Sequence, residues 1–148
     1  MGRIATRPAA PDDLSALTAL RYTMFPDDEL ELHREQLEAL IQSPDYGVFV
    51  AVEDGELVGF AEVARRSDYV NGCDTSPVAF LEAIYVTPDC RRRGCAGALV
   101  AAVEAWARDQ GLTELGSDAL LENLTSHQMH EALGFEETER VVYFRKEL

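Results

Sequence analysis

Three consecutive arginines, Arg91, Arg92 and Arg93, run directly into Gly94-Cys95-Ala96-Gly97-Ala98 in a chain whose formal net charge is −14. Positive charge concentrated beside glycines and small residues is what a polyanion requires. Where such a stretch opens a helix, the first N–H groups lack intrahelical acceptors and the dipole adds partial positive charge, so a phosphate is stabilised there. Gly94 and Gly97 let backbone approach such a group closely, and Ala96 keeps bulk low. A solvated arginine run at an ordinary strand–turn–helix junction is the plain alternative. Two other phosphate loops are excluded, because neither GxxxxGK[ST] nor GxGxxG occurs.

Acidic residues mark a second kind of chemistry. Glu82 interrupts the apolar run VAFLEAIYV. A carboxylate buried there without a partner is costly, so Glu82 is expected to face a cation brought by a ligand. Asp118 follows the short run ELGS, where an acid can orient or deprotonate an amine and where a turn or helix cap also uses aspartate. His127 and His130 stand at i, i+3 on one helix, but a metal needs a third ligand and the sequence offers none, so no metal is expected. His33, among charged helix residues, is expected to be solvated. Cys73, Cys90 and Cys95 are odd in number and lack CxxC spacing, which predicts free thiols in a reducing cytoplasm. No base pairs with any of them, so none is expected to act as a covalent nucleophile.

Composition narrows the classes. The 148 residues are expected to form one domain, 1–148, with a single core. No stretch approaches the roughly 18 unbroken apolar residues of a membrane span, and no secretory signal is read at the N-terminus. Acidic residues outnumber basic ones, 27 to 13, which argues against nucleic acid as a partner because phosphate backbones need a basic face. The acidity suits solubility or a cationic substrate, and composition does not choose between them.

The elements that must position these residues follow from periodicity. GRIATRPA reads as a first strand ending at Pro8. Pro11-Asp12-Asp13 opens a helix carrying Leu14, Leu17 and Leu20, and DDELELHREQLEALIQ continues that spacing through Leu30, Leu37, Leu40 and Ile41. YGVFVAVEDGELVGFAEVARR is a hairpin turning on Asp54-Gly55. Residues 68–74 form a polar loop, and VAFLEAIYV is a central strand covered on both faces. A helix from Gly94 to Gln110, a fifth strand in ELGSD and a helix in ENLTSHQMHEAL stopped by Gly134 come next. FEETERVVYFRKEL is expected to supply a last strand or pair of strands. The order predicts a mixed α/β sheet flanked by helices.

The segment Arg91–Ala96 fits [QR]xxGx[GA] and resembles the pyrophosphate loop of the GNAT superfamily of N-acetyltransferases, which binds acetyl-coenzyme A. The apolar strand ending in Val-Thr-Pro and the later NLTSHQMHEALGF strengthen the likeness. The resemblance implies a GNAT fold, acetyl-coenzyme A as co-substrate, and a pantetheine arm pairing with the backbone of Ile84, Tyr85 and Val86. It implies a pyrophosphate on the N–H groups from Arg92 through Gly97, including Gly94, Cys95 and Ala96, with Ala98 at the edge and Arg91 and Arg93 contributing charge. Asn123 matches an asparagine that bonds the arm. His130 stands where the superfamily usually has a tyrosine that protonates the departing thiolate. A histidine can serve as that acid, or pack as an ordinary helix residue.

DYVNGCDTSPVAFLEAIYV, SDALLEN and HEALGFEETERVVYFRK look like the small, acidic, dimeric aminoglycoside 6'-N-acetyltransferases. That resemblance implies a cytoplasmic homodimer acetylating a polycationic drug. Glu82 and Asp118 would meet its ammonium groups, Phe25 and Tyr69 would wall the pocket, and Asp28 and Glu139 would add acid, Glu139 from the second subunit. The family typically has tryptophan where Phe25 stands. Another amine acceptor, or a non-catalytic coenzyme-binding module, remains compatible with the same residues.

Overall fold

The computed structural model describes residues 2–148. Five strands form one sheet in the order β1 (Ala5–Pro8), β2 (Tyr46–Glu53), β3 (Glu56–Arg66), β4 (Val78–Val86) and β5 (Leu115–Ser117). The first four pair antiparallel, and β5 joins β4 in parallel. Helices α1 (Leu14–Met24) and α2 (Leu30–Gln42) lie between β1 and β2, α3 (Cys95–Asp109) lies between β4 and β5, and α4 (Leu124–Ala132) follows β5. This is the mixed α/β layering that the pattern predicted. The hairpin closes on Asp54 at φ 50° and Gly55 at φ 81°, the paired positive angles of a tight two-residue turn.

Each face of the sheet is sealed separately. Leu99, Val100 and Val103 of α3 pack on Ala61, Val63 and Leu81, while Leu14, Leu17 and Leu37 of α1 and α2 pack on Val50, Phe60 and Ala83. Leu81 and Ala83 are two residues apart on one strand, so plain alternation would place them on the same face. They lie on opposite faces because Glu62 pairs with Ala83 while Val63 pairs with Leu81. Glu82 is therefore an extra residue, a β-bulge that bends β4 at this point.

Two expectations fail. Residues 136–148 form no strand, and every one of them is exposed, with Val141, Val142, Tyr143 and Phe144 between 48 and 91% accessible. The apolar pattern is present, but a strand also needs a hydrogen-bonding neighbour, and none pairs with it among the described residues. His33, expected in solvent, is fully buried. Its Nε2–H donates to the Phe25 carbonyl at 2.9 Å and its Nδ1 accepts from Arg21 Nη1 at 3.1 Å. The tautomer follows because a carbonyl only accepts and a guanidinium only donates. Arg21 also forks onto buried Glu62 at 2.8 and 3.2 Å and reaches Gln36 at 2.5 Å. Polar partners carried inside by three elements thus replace the water expected around His33.

Candidate active site

β4 and β5 share three rungs, Ala79–Leu115, Phe80–Gly116 and Leu81–Ser117. Beyond them the bulge at Glu82 turns β4 away, and residues 82–86 have no strand on that edge among the described residues. Thr87 N–H donates to the Val58 carbonyl at 2.9 Å. Strand alternation then points the N–H groups of Val86 and Ile84 away from β3, into the split. The backbone of Tyr85 faces β3 instead, opposite Phe60 in register, and its ring lies 6.3 Å from the Phe60 ring. Two of the three residues expected to offer backbone at the split therefore do so.

The arginine-glycine stretch leads from this edge into α3. Arg92 at φ 60° and Gly94 at φ 80° place left-handed residues on either side of Arg93. Ala98 N–H is taken by the Gly94 carbonyl at 3.0 Å, so Ala98 is not a free donor. The N–H groups of residues 92–97 donate to no backbone carbonyl among the described residues. A curved row of unpaired donors at a helix start is an anion-binding concavity. The three side chains divide the labour differently from a simple basic rim. Arg93 forms a close ion pair with Glu53 and holds that carboxyl below its usual range, and Arg91 Nε donates to the Val86 carbonyl at 2.9 Å. Arg92 makes no side-chain hydrogen bond among the described residues. The Cys95 thiol points into the core, where burial foremost, with Cys90 beside it, pushes it up to about 11.

The acidic residues gather at the other end of the split. Glu82 follows Leu81 and Asp118 follows Ser117, so the two carboxylates flank the point where the strands part. The premise that Glu82 is buried and unpaired is wrong. It is exposed, and Arg66 donates to it from Nε and Nη2 at 2.8 Å each, the guanidinium lying 3.7 Å from the centre of the Phe80 ring. Asp118 is exposed and does not cap α4, because Asn123 does so, its Oδ1 accepting from Ser126 N–H at 3.2 Å. Asn123 keeps its amide NH2 for other acceptors.

His130 of α4 reaches Ser117, the residue before Asp118. Its Nδ1–H donates to the Ser126 carbonyl at 2.7 Å, and its Nε2 stands 2.7 Å from the Ser117 hydroxyl. The ring meets Phe135 edge-on at 4.9 Å. Ser117 was not singled out from sequence, where the only signal is a hydroxyl just before Asp118.

The remaining acceptor-side residues are open to solvent. Phe25 and Tyr69 are 38 and 73% accessible. Asp28 lines a cavity of about 450 Å³ with Tyr22, Pro26, Asp27, Glu29 and Leu30. The loop bearing Tyr69 is tied down by Glu114, whose carboxylate accepts from Asp74 N–H at 2.9 Å and Thr75 N–H at 2.7 Å. The Thr75 hydroxyl donates to the same carboxylate at 2.5 Å, and these bonds, that one foremost, hold Glu114 below the usual carboxylate range. Glu139 lies on the exposed C-terminal segment, which touches the same loop at Gly72, where an added Cβ would fall 2.0 Å from Thr138 Oγ1. Among the described residues no cluster of three or more His, Cys, Asp or Glu is arranged to hold a metal, and no helix is long and apolar enough to cross a membrane.

The acetyltransferase (GNAT) family model matches residues 14–135. An aminoglycoside N(6')-acetyltransferase type 1 of Serratia marcescens is 51% identical over 138 residues, covering 93% of this chain and 94% of the relative. The solved structure of AAC(6')-Iy in complex with the bisubstrate analogue CoA-S-monomethyl-acetylneamine is 42% identical with a TM-score of 0.95, covering 99% of each chain. That of the antibiotic 6'-N-acetyltransferase AAC(6')-Ih from Acinetobacter baumannii is 44% identical with a TM-score of 0.93, also covering 99% of each. A split sheet edge leading into a helix start lined by unpaired N–H groups, with these matches across nearly the whole length, identifies the chain as a member of the acetyltransferase (GNAT) family, related throughout to the aminoglycoside 6'-N-acetyltransferases.

Proposed function

We propose that this chain, as one domain spanning 1–148, transfers the acetyl group of acetyl-coenzyme A to the 6'-amine of aminoglycosides by direct attack in a ternary complex. The observation that carries the reading is the split between β4 and β5: unpaired N–H donors stand along one end and the carboxylates Glu82 and Asp118 flank the other. A polyanionic donor and a polycationic acceptor are thereby drawn to opposite ends of one cleft. The relative bound to an analogue that joins coenzyme A to acetylneamine supports the same pairing.

Bound acetyl-coenzyme A supplies an activated thioester. Ile84 and Val86 hold the pantetheine arm as an added strand would, with the Asn123 amide as a further donor. The N–H groups of residues 92–97 and the Arg92 side chain bind the diphosphate, while Arg91 and Arg93 keep that loop in shape. The acceptor ammonium competes with Arg66 for Glu82. Asp118 receives the amine proton, Val86 N–H stabilises the carbonyl oxygen as it gains charge, and His130 is the source of the proton for the leaving thiol. Phe25, Tyr69 and Asp28 contact the sugar rings. Holding both reactants in line supplies much of the acceleration.

The exposed Val141–Phe144 segment fits a homodimer in which each copy's tail, with Glu139, completes the other's acceptor site. The enzyme works in the cytoplasm. Thiol release from acetyl-coenzyme A tests the reading: aminoglycosides with a 6'-amine should react and their 6'-hydroxy counterparts should not. Reaction with polyamines or peptide N-termini alone would overturn it.

A further inference from the structure

We propose that Ser117 is a catalytic residue, its hydroxyl handing the proton to the departing thiolate and recovering it from His130 behind. The inference rests on the acetyl-transfer reading above and names the group that meets the sulfur.

Three observations carry it. Ser117 occupies the last rung of the β4–β5 ladder, opposite Leu81, at the apex of the split whose open edge continues through Ile84 and Val86. His130 does not present a bare nitrogen to that space: Nδ1 is held by the Ser126 carbonyl and Nε2 stands 2.7 Å from Ser117 Oγ. Turning the imidazole to face a ligand directly would break both bonds and the edge-on contact with Phe135. The same bonds also accommodate either charge state of the ring. In the neutral form Nδ1–H donates to Ser126 and the Ser117 hydroxyl donates into Nε2. In the imidazolium form both N–H groups still have acceptors, the Ser126 carbonyl and Ser117 Oγ, and the serine proton is released to point elsewhere. A hydroxyl rotation is the only movement required.

The step balances. As the carbon–sulfur bond breaks, its electron pair stays on sulfur. The serine O–H proton moves to that sulfur, the imidazolium Nε2–H restores the hydroxyl, and His130 is left neutral. The acceptor nitrogen, entering as an ammonium, gives up two protons by way of Asp118 and water; one is returned to His130 through water and the other is released to solvent, so each turnover yields amide, thiol and one proton.

The test begins with wild-type protein, whose failure to release thiol with any amine would remove the acetyl-transfer reading itself. Given activity, single-turnover transfer is measured for Ser117→Ala, Ser117→Thr, His130→Gln and the double variant Ser117→Ala/His130→Gln, alongside coenzyme A affinity. Ser117→Ala should lose on the order of 100-fold in rate, in the range general acids supply. Ser117→Thr should recover most of it, and the double variant should be no slower than Ser117→Ala, with coenzyme A affinity unchanged. Imidazole ¹⁵N NMR of the ligand-free protein near neutral pH should show His130 Nδ1 protonated and Nε2 hydrogen-bonded, with the Nε2 signal displaced in Ser117→Ala. A wild-type rate in Ser117→Ala, or losses that multiply in the double variant, would overturn the relay. Should Ser117→Ala fail to fold, the wild-type spectrum decides alone: an Nε2 without a hydrogen bond ends the proposal.

Discussion

Replacing Arg21 by methionine should destabilise this protein more than replacing Arg21 and Glu62 together. Glu62 is 4% accessible, and its carboxylate accepts hydrogen bonds from Arg21 alone among the described residues, at 2.8 and 3.2 Å. Arg21→Met leaves that carboxylate buried and unpaired, and also strips His33 Nδ1 of its donor. Breaking one side of a buried pair costs about 3–5 kcal/mol. The Arg21 side chain is itself 13% accessible, so water can reach the vacated space, and the lower bound, about 3 kcal/mol, is expected. For a domain of this size each kcal/mol moves the midpoint by about 2–4 °C, giving a fall of about 6–12 °C by circular dichroism or calorimetry. Arg21→Met/Glu62→Leu removes the orphaned charge along with its partner, because a buried pair replaced by apolar groups is nearly neutral. Its midpoint should lie above that of the single variant. A double variant less stable than Arg21→Met, or a single variant within about 2 °C of wild type, would show that Arg21 does not hold Glu62.

Other consequences follow from the site. Glu82→Ala and Asp118→Ala should each cut aminoglycoside turnover by at least about tenfold while coenzyme A affinity, read by calorimetry, stays within about twofold; loss of coenzyme binding in both would contradict their placement at the acceptor end. Gly72→Ala adds a Cβ 2.0 Å from Thr138 Oγ1 at a φ of 84°, so it should displace the C-terminal segment and weaken the proposed homodimer in sedimentation. Cys95, 2% accessible and with its thiol pushed up to about 11, holds only about one thiolate in a thousand at pH 8, and the thiolate is the reactive form. Iodoacetamide at pH 8 should therefore leave Cys95 unmodified in the folded protein and modify it in urea, with peptide mass spectrometry as the readout. Labelling in the folded state should rise only as pH climbs toward that value.

The parts of this fold that local pattern dictates were legible. Asp54-Gly55 between two β-rich runs can close only a tight hairpin, and the apolar strand before the arginines had to be covered on both faces. What escaped was whatever depended on residues far apart in the chain. Glu82 looked anomalous because an alternating strand has no place for it, and the cause is a bulge set by the register of β3, invisible in the strand itself. Its cation is Arg66, sixteen residues earlier on that neighbouring strand. His33 reads as a surface residue until Arg21 of α1, itself paired with Glu62 of β3, is brought onto its ring. The alternation of Phe60 and Glu62 on one face of β3 was the available signal. The arginine triplet drew the eye to this loop, yet only Arg92 is left without a side-chain hydrogen bond among the described residues, since Arg91 and Arg93 are tied to Val86 and Glu53, and the row of unpaired backbone N–H groups carries more of the geometry. The C-terminal segment shows the opposite limit: its residue pattern is strand-like, yet it forms no strand, because nothing pairs with it among the described residues.

In the proposed reaction, one split in one sheet sets an acetyl thioester beside a 6'-amine. The most direct measurement is the position of the acetyl group in the product, determined by NMR after reaction of purified protein with acetyl-coenzyme A and an aminoglycoside bearing several amines. One acetyl per molecule is expected, on the 6'-nitrogen, with one thiol released for each. Acetylation at a ring amine, or thiol release without acetylated drug, would contradict it.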